Sequence, residues 1–415
     1  MANINKGLML EEISKQLDIS PTMYKLAVER YTSVSKYLEK NGIEANIYPQ
    51  GSFRLGTVTR PIRNGEESDY DIDLVCQMFI EKTKTNPSII KNAVGDLLKQ
   101  NAQYKEILDD EGRRCWTLLY AEKDGIGFHL DILPSVGEST DIIHDLLINH
   151  NVRPIYVNSA IAITHKKDNS YSWTSSNPRG YGEWFDEINK PFYSLIEKDA
   201  KKLLFENNRN IFASIDDVPT QLVRTPLQRV IQILKRHRDL RFNGHEYEED
   251  KPISMIITTL TSLIVKNENC ATVDPFTLLN FIVTKLAEYA ELINNSNAKI
   301  SQQQNSIIKR DVTTSRWYIP NPVNPSENFA DRWHENNNRK AKAFFDWVKW
   351  VSTDLIGSLN NPDFAVDSLK PILGSSVIEK VHSKYKAQFP HDNNNRHIPA
   401  TPTVNITSPG KPWRD

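Results

Sequence analysis

Asp71 and Asp73 lie two residues apart in Tyr-Asp-Ile-Asp-Leu-Val, and a third acid, Asp131, lies in Phe-His-Leu-Asp-Ile-Leu. Side chains alternate faces along a strand, so Asp71 and Asp73 project together while Ile72 and Leu74 point the other way. The same alternation sets Asp131 opposite Leu130 and Ile132. Converging carboxylates repel one another unless a cation sits between them, and hard oxygen donors suit Mg²⁺, with Mn²⁺ as a substitute. Two such ions in one site clamp the attacking and leaving oxygens of an in-line phosphoryl displacement. An isolated Asp-x-Asp is more often a solvated strand edge. Here, however, Gly51-Ser52 lies upstream, at the end of Ile47-Tyr48-Pro49-Gln50. A Gly-Ser turn lets backbone N–H groups and a hydroxyl approach a polyphosphate closely, because glycine has no Cβ to block it. The combination points to nucleotidyl transfer. Asp71, Asp73 and Asp131 are the expected catalytic metal ligands, and Gln50, Gly51 and Ser52 the expected nucleotide turn.

These residues need a sheet to present them. Residues 43–80 and 115–136 carry β-branched and aromatic runs punctuated by Gly and Pro, which predicts the catalytic sheet. Ile155-Tyr156-Val157 and Ile161-Ala162-Ile163 predict further short strands, and Pro87 to Leu108 predicts a helix. Upstream, residues 8–41 carry apolar positions at helical spacing and read as a helical spine linking two lobes. From about residue 190 the pattern is mostly helical. Thr225-Pro226 is a cap followed by a first-turn proline, and Leu227, Val230, Ile231 and Leu234 form an apolar stripe. Gln228, Gln232, Lys235 and Asp239 fall on a separate polar stripe. Further helices are predicted from Pro252, from Asp274-Pro275, and over Asn328 to Ile356, with Trp333, Trp347 and Trp350 in a helical core. The stretch 391–415, with its Asn-Asn-Asn, four prolines and few apolar residues, reads as a mobile tail. The expected organisation is a spine (1–42), a catalytic core (43–190), a helical lobe closing the cleft (191–388) and the tail (389–415). The fold class is α+β, a mixed sheet with flanking helices plus a helical lobe.

A chain of 415 residues buries a real core. Its formal charge of −1 argues against dedicated duplex-DNA binding, whose footprint is a basic excess. The three scattered cysteines, Cys76, Cys115 and Cys270, suggest neither a zinc site nor a disulfide framework, and a reducing cytoplasm fits them. No long apolar run predicts membrane insertion.

The stretches Gln50-Gly51-Ser52-Phe53-Arg54-Leu55-Gly56-Thr57 and Asp69-Tyr70-Asp71-Ile72-Asp73-Leu74-Val75 resemble the polymerase β-type nucleotidyltransferases. Ser176-Asn177-Pro178-Arg179-Gly180-Tyr181, Leu227-Gln228-Arg229 through Asp239, and Asn321-Pro322 through Trp333 narrow the resemblance. It is to the cGAS/DncV-like enzymes (CD-NTases) of bacterial CBASS anti-phage systems, over roughly residues 10–385. The resemblance implies template-free transfer of NMP from an NTP, ATP among the substrates, to a ribose hydroxyl. Ring closure into a cyclic di- or trinucleotide second messenger would follow, and a separate effector would respond to it. It implies two ions held by Asp71 and Asp73, with Asp131 completing the site of one of them. An operon-encoded regulator or a C-terminal conjugation partner is also implied, although the chain ends in Trp413-Arg414-Asp415 rather than glycine.

Outside the turn, Lys235 is the expected phosphate ligand, since the basic cluster around it would repel itself without an anion. The competing reading, for Lys235 as for Arg236 and Arg238, is a solvated basic helix end. Ser254 fits either a terminal phosphate or a helix cap. The resemblance places Ser176 and Asn177 near the donor base, with a slip to Ser175 open, and Tyr171, Trp173 and Tyr181 are stacking candidates or core. Asp69 is expected to be solvated or to act behind the metal ligands. Two alternatives stand beside the cyclase: a linear oligonucleotide synthase of 2′-5′ oligoadenylate or tRNA 3′-end type, and a catalytically silent nucleotide-binding protein.

Overall fold

The computed structural model describes residues 6–63, 66–123, 126–296, 298–302, 306–361 and 366–385. The expected tail at 389–415 lies outside them. In chain order, α1 (Lys6–Lys15) and α2 (Pro21–Lys40) lead into β1 (Ala45–Gln50) and the five-residue α3 (Gly51–Leu55). After β2 (Ile62–Arg63) and β3 (Glu66–Glu67) come β4 (Tyr70–Met78), α4 (Pro87–Gln100), α5 (Ala102–Ile107), β5 (Trp116–Lys123) and β6 (Ile126–Gly137). Helices α6 (Thr140–Ile148) and α7 (Pro154–Val157) precede β7 (Ile161–Lys167), β8 (Ser170–Ser176) and the long α8 (Pro178–Asn207). Next are α9 (Pro226–Phe242), α10 (Ser254–Asn267), α11 (Pro275–Glu288) and α12 (Lys299–Gln302). The short strands β9 (Lys309–Arg310), β10 (Trp317–Tyr318), β11 (Pro320–Asn321) and β12 (Asn324–Asn328) come before α13 (Glu335–Val351), α14 (Ser358–Asn360), α15 (Lys370–Leu373) and α16 (Ser375–Tyr385).

The main sheet is ordered β1-β4-β6-β7-β8, with β5 paired to β6 beside its first half. β4 and β6 run parallel; the other pairs are antiparallel. On one face Ile72, Leu74, Cys76, Leu130 and Ile132 form a core with α2 and α4, through Ala27, Val34, Ile90 and Val94. A second core gathers α1 and the helices from α8 onward, including Ile13, Phe185, Leu227, Leu279 and Trp347. Trp333 is buried in it and Trp350 packs against it.

The chain crosses between the cores repeatedly. Leu17 belongs to the helical core and Ile19 to the sheet core, so the α1–α2 link crosses at Asp18. Helix α3 straddles the boundary, with Phe53 in the sheet core and Leu55 in the helical one. Helix α8 does the same over a longer span. Phe185 and Phe192 pack in the helical core and Leu204 and Phe205 against the sheet core, with Pro191 inside the helix.

Three sequence expectations need correction. Ile155-Tyr156-Val157 is helical, not a strand, because Pro154 opens α7 at its first turn and seats Tyr156 and Val157 in the helical core. The helix predicted from Pro252 begins at Ser254, capped by Ile253 in extended conformation. The helix predicted from Asn328 begins at Glu335, and Asn336, Asn337 and Asn338 still have left-handed backbone (φ 47°, 57° and 60°). Asparagine tolerates that conformation better than other side chains do. The cap at Thr225-Pro226 is a full capping box with Gln228.

Candidate active site

Register brings the acids together. Asp73 on β4 pairs directly with Asp131 on the parallel β6, and Asp71 pairs with His129, so the three carboxylates share one face. On β1, Gln50 is the partner of Asp73, which delivers Gly51 against that carboxylate. Gly51 has φ +61°, and a Cβ there would lie 2.4 Å from Asp73 Oδ2. Only glycine fits this corner, for reasons of both conformation and space.

Burial first, then the neighbouring Asp131 and Asp71, push the Asp73 carboxyl up to about 8, against the pull of Lys235. Asp131 is likewise raised, by burial and by Asp71. Opposite it on β5, the Thr117 hydroxyl donates to Asp131 Oδ1 at 2.5 Å. His129 lies between two acids, with Nδ1 3.3 Å from Asp71 Oδ1 and Nε2 3.6 Å from Asp69 Oδ2. Asp69 Oδ1 accepts from the Gly127 N–H at 2.9 Å, consistent with a supporting place behind the three acids. Among the described residues no three His, Cys, Asp or Glu side chains close around a single point. The backbone register and the donor chemistry nevertheless suit divalent cations: carboxylates raised by one another on a shared face are relieved by positive charge between them.

Lys235 on α9 is buried and reaches the same site. Its Nζ donates to Thr57 O at 2.9 Å, and burial, with Arg238, lowers it to about 8 while Asp71 and Asp73 pull it back up. The expectation that its basic neighbours need an external anion is corrected. Arg229 pairs with Asp18 at 2.7 Å, Arg236 with Glu67 at 2.6 Å, and Arg238 with Asp239 at 2.6 Å. The arginines are neutralised from within, whereas Lys235 lies in the field of the catalytic acids Asp71 and Asp73. Ser254 is not the cap of its helix, a place taken by Ile253; its hydroxyl accepts from Arg238 at 3.1 Å, which leaves the O–H itself to donate.

The candidates around the base part company. By register Ser176 pairs with Ile161 and shares the acids' face, whereas Ser175 pairs with Ala162 on the opposite one. Ser175 Oγ also accepts from Asn324 at 3.3 Å. Asn177 is buried and caps α8: it accepts from Gly180 N (2.9 Å) and Ser159 Oγ (3.0 Å) and donates to Tyr156 O (2.8 Å). Its polar atoms are therefore committed, and a base-edge role for Asn177 is corrected to a capping one. Tyr181 is core, with its hydroxyl on Thr259; Trp173 packs against the sheet core; Tyr171 donates to Glu111. On the acids' face, Val75, Leu133, Ile161 and Ile163 with Tyr48 make a small apolar floor. The Tyr48 hydroxyl is buried without a partner, and the Arg179 guanidinium sits 4.2 Å above its ring.

Sequence reasoning missed Thr117 and the Gln228–Gln232 contacts described below. His129 was legible by parity alone, being two residues from Asp131 and so on its face. Nothing in the sequence pairs β5 with β6 in register, so Thr117 carried no signal.

Residues 45–134 match the nucleotidyltransferase domain of the cyclic GMP-AMP synthase DncV-like family. The chain is 27% identical over 329 residues to a c-di-GMP synthase of Roseivirga ehrenbergii, covering 78% of this chain and 72% of that protein. It is 25% identical over 342 residues to the cyclic dinucleotide synthase CdnG of Bradyrhizobium diazoefficiens, covering 79% and 70%. The structure of the latter CD-NTase, in complex with GTP, superposes with a TM-score of 0.63 at 20% identity, covering 92% of this chain and 99% of that one. No helix among the described residues is long and apolar enough to cross a membrane.

Proposed function

Since this chain belongs to the cGAS/DncV-like nucleotidyltransferases, we propose that it joins two GTP molecules into a cyclic dinucleotide, c-di-GMP, with release of pyrophosphate. The observation that carries the chemistry is the register that stacks Asp73 on Asp131 and sets Gly51 against Asp73. The choice of guanine rests on the c-di-GMP synthase among its relatives. Adenine, expected from the resemblance, is the competing base.

Asp71, Asp73 and Asp131 would hold Mg²⁺ or Mn²⁺ ions, which acidify the attacking ribose hydroxyl and neutralise charge on the departing pyrophosphate. The protein's own groups do the rest. Gly51 and Ser52 offer their N–H groups and the Ser52 hydroxyl to the polyphosphate where a Cβ would block approach. Lys235 carries positive charge beside the acids, and its donors left over from Thr57 O face phosphate. The floor of Val75, Leu133 and Ile163 keeps water from beneath the nucleotide. The linear intermediate then re-enters the same site with its own ribose hydroxyl as nucleophile. The resemblance extends the reading to bacterial cytoplasm and to an effector of anti-phage signalling that the product switches on.

The test is incubation with each NTP alone and with all four, with Mg²⁺ or Mn²⁺, followed by phosphatase and mass spectrometry. A phosphatase-resistant c-di-GMP from GTP alone is expected. Linear products move the reading to an oligonucleotide synthase, a mixed cyclic product removes the guanine assignment, and metal-dependent NTP binding without product makes this a nucleotide-binding protein.

A further inference from the structure

Segment 56–61, which follows the nucleotide turn, belongs to no strand, so its backbone carbonyls need partners from elsewhere. Helix α9 supplies partners for Thr57 O and Val58 O, and for Leu55 O at the end of α3 just before. Gln228 Nε2 donates to Leu55 O at 2.8 Å, Lys235 Nζ to Thr57 O at 2.9 Å, and Gln232 Nε2 to Val58 O at 3.1 Å. Gly56, at φ +65°, lets the segment lie this close, since a Cβ there would sit 2.4 Å from Gln228 Nε2. Gln232 is fully buried and has a second partner: the same nitrogen donates to Asp18 Oδ1 at 3.0 Å. Asp18 also accepts twice from Arg229, at 2.7 Å each. It lies where the chain passes from Leu17 in the helical core to Ile19 in the sheet core. Both hydrogens of one carboxamide thus tie the turn segment to the crossover between the cores.

We propose that Gln232 is a positioning residue for nucleotide binding, fixing the Gly51–Ser52 turn to the inter-core crossover at Asp18. The proposal rests on the nucleotide reading of that turn. A buried glutamine that only filled space would contribute to stability and leave the turn's order and its affinity unchanged.

The experiment compares wild type with Gln232→Met, close in volume but without donors. It measures affinity for a non-hydrolysable GTP analogue with Mg²⁺, backbone hydrogen exchange over 51–58 and 87–100, melting temperature, and KM and kcat of product formation. The expected result is a loss of about tenfold in analogue affinity, with KM rising and kcat held. Exchange over 51–58 should rise about tenfold while α4, at 87–100, is unchanged. A lower melting temperature with affinity and exchange over 51–58 both unaltered overturns the proposal. Should the Met variant not fold, Gln232→Asn keeps the amide but is one methylene too short to hold both acceptors, and the same readouts decide. If the wild type binds no GTP analogue, the functional reading falls, while the exchange comparison still decides whether Gln232 orders the turn.

Discussion

Strand β4 and helix α9 are both buried and both charged, yet they handle charge in opposite ways. On α9 the arginines find carboxylates within the protein: Arg229 with Asp18, Arg236 with Glu67, Arg238 with Asp239. On β4, Asp71 and Asp73 lie beside a third acid, Asp131, and burial with mutual repulsion raises Asp73. Charge density alone does not mark a site. Like charges held together against their own repulsion do, because the fold tolerates that cost only where a ligand relieves it. Lys235 is the exception on α9 that belongs to β4's side of the contrast.

Four substitutions and one change of conditions test this contrast. Asp73→Asn should abolish cyclic product, lowering kcat on the order of 10³-fold while the fold survives, as read by circular dichroism and mass spectrometry of products. Gly51→Ala should cost about 10²-fold in activity, since a Cβ 2.4 Å from Asp73 Oδ2 must displace the turn or the carboxylate by a fraction of an ångström or more. The helix comparison comes next. Lys235→Met should weaken NTP binding on the order of tenfold by calorimetry. Arg238→Met should leave NTP binding near wild type and instead lower stability by about 3 kcal/mol in urea, because it strands the buried Asp239. Equal effects of the two on NTP affinity would erase the distinction drawn here.

The smallest expected effect is pH dependence. Asp73 is raised in the folded protein, so in the absence of metal its contribution to stability is full below the unfolded carboxylate range, near 3.8, and lost as pH rises toward about 8. Lys235, depressed to about 8, acts with the opposite sign, its contribution full above the unfolded lysine value and lost as pH falls through about 8. The metal-free protein should therefore melt a few degrees lower at pH 7.5 than at pH 5.5, with Mg²⁺ affinity rising over the same interval as protons leave the acids. A melting temperature that does not move between those two values removes the electrostatic account of Asp73.

Strand alternation made the face shared by Asp71 and Asp73 readable directly, because period two is fixed by the backbone. Gly51 was readable as a turn, but its need to be glycine came from Asp73 Oδ2, a neighbour two strands of sequence away. The stripe of Gln228, Gln232, Lys235 and Asp239 was also visible at helical spacing. Its purpose was not, since a polar stripe on a helix normally faces water and this one faces the carbonyls of segment 55–58. The same reason explains Asn177, whose side chain caps α8 instead of meeting a ligand. Periodicity reports which residues share a face; it is silent on what that face meets. Ile155-Tyr156-Val157 was misread because β-branched propensity is weaker than the helix-starting effect of Pro154 with two side chains drawn into a core.

Helix α9 has almost no solvent-facing side over Pro226–Asp239. Such a helix has no free-standing existence in water: its glutamines and arginines are satisfied only when the segment 55–58, the α1–α2 link and the later helices are already in place. The two cores consequently cannot be assembled one after the other as independent units. They condense together around this one helix, and heat or denaturant should take them apart in a single cooperative step.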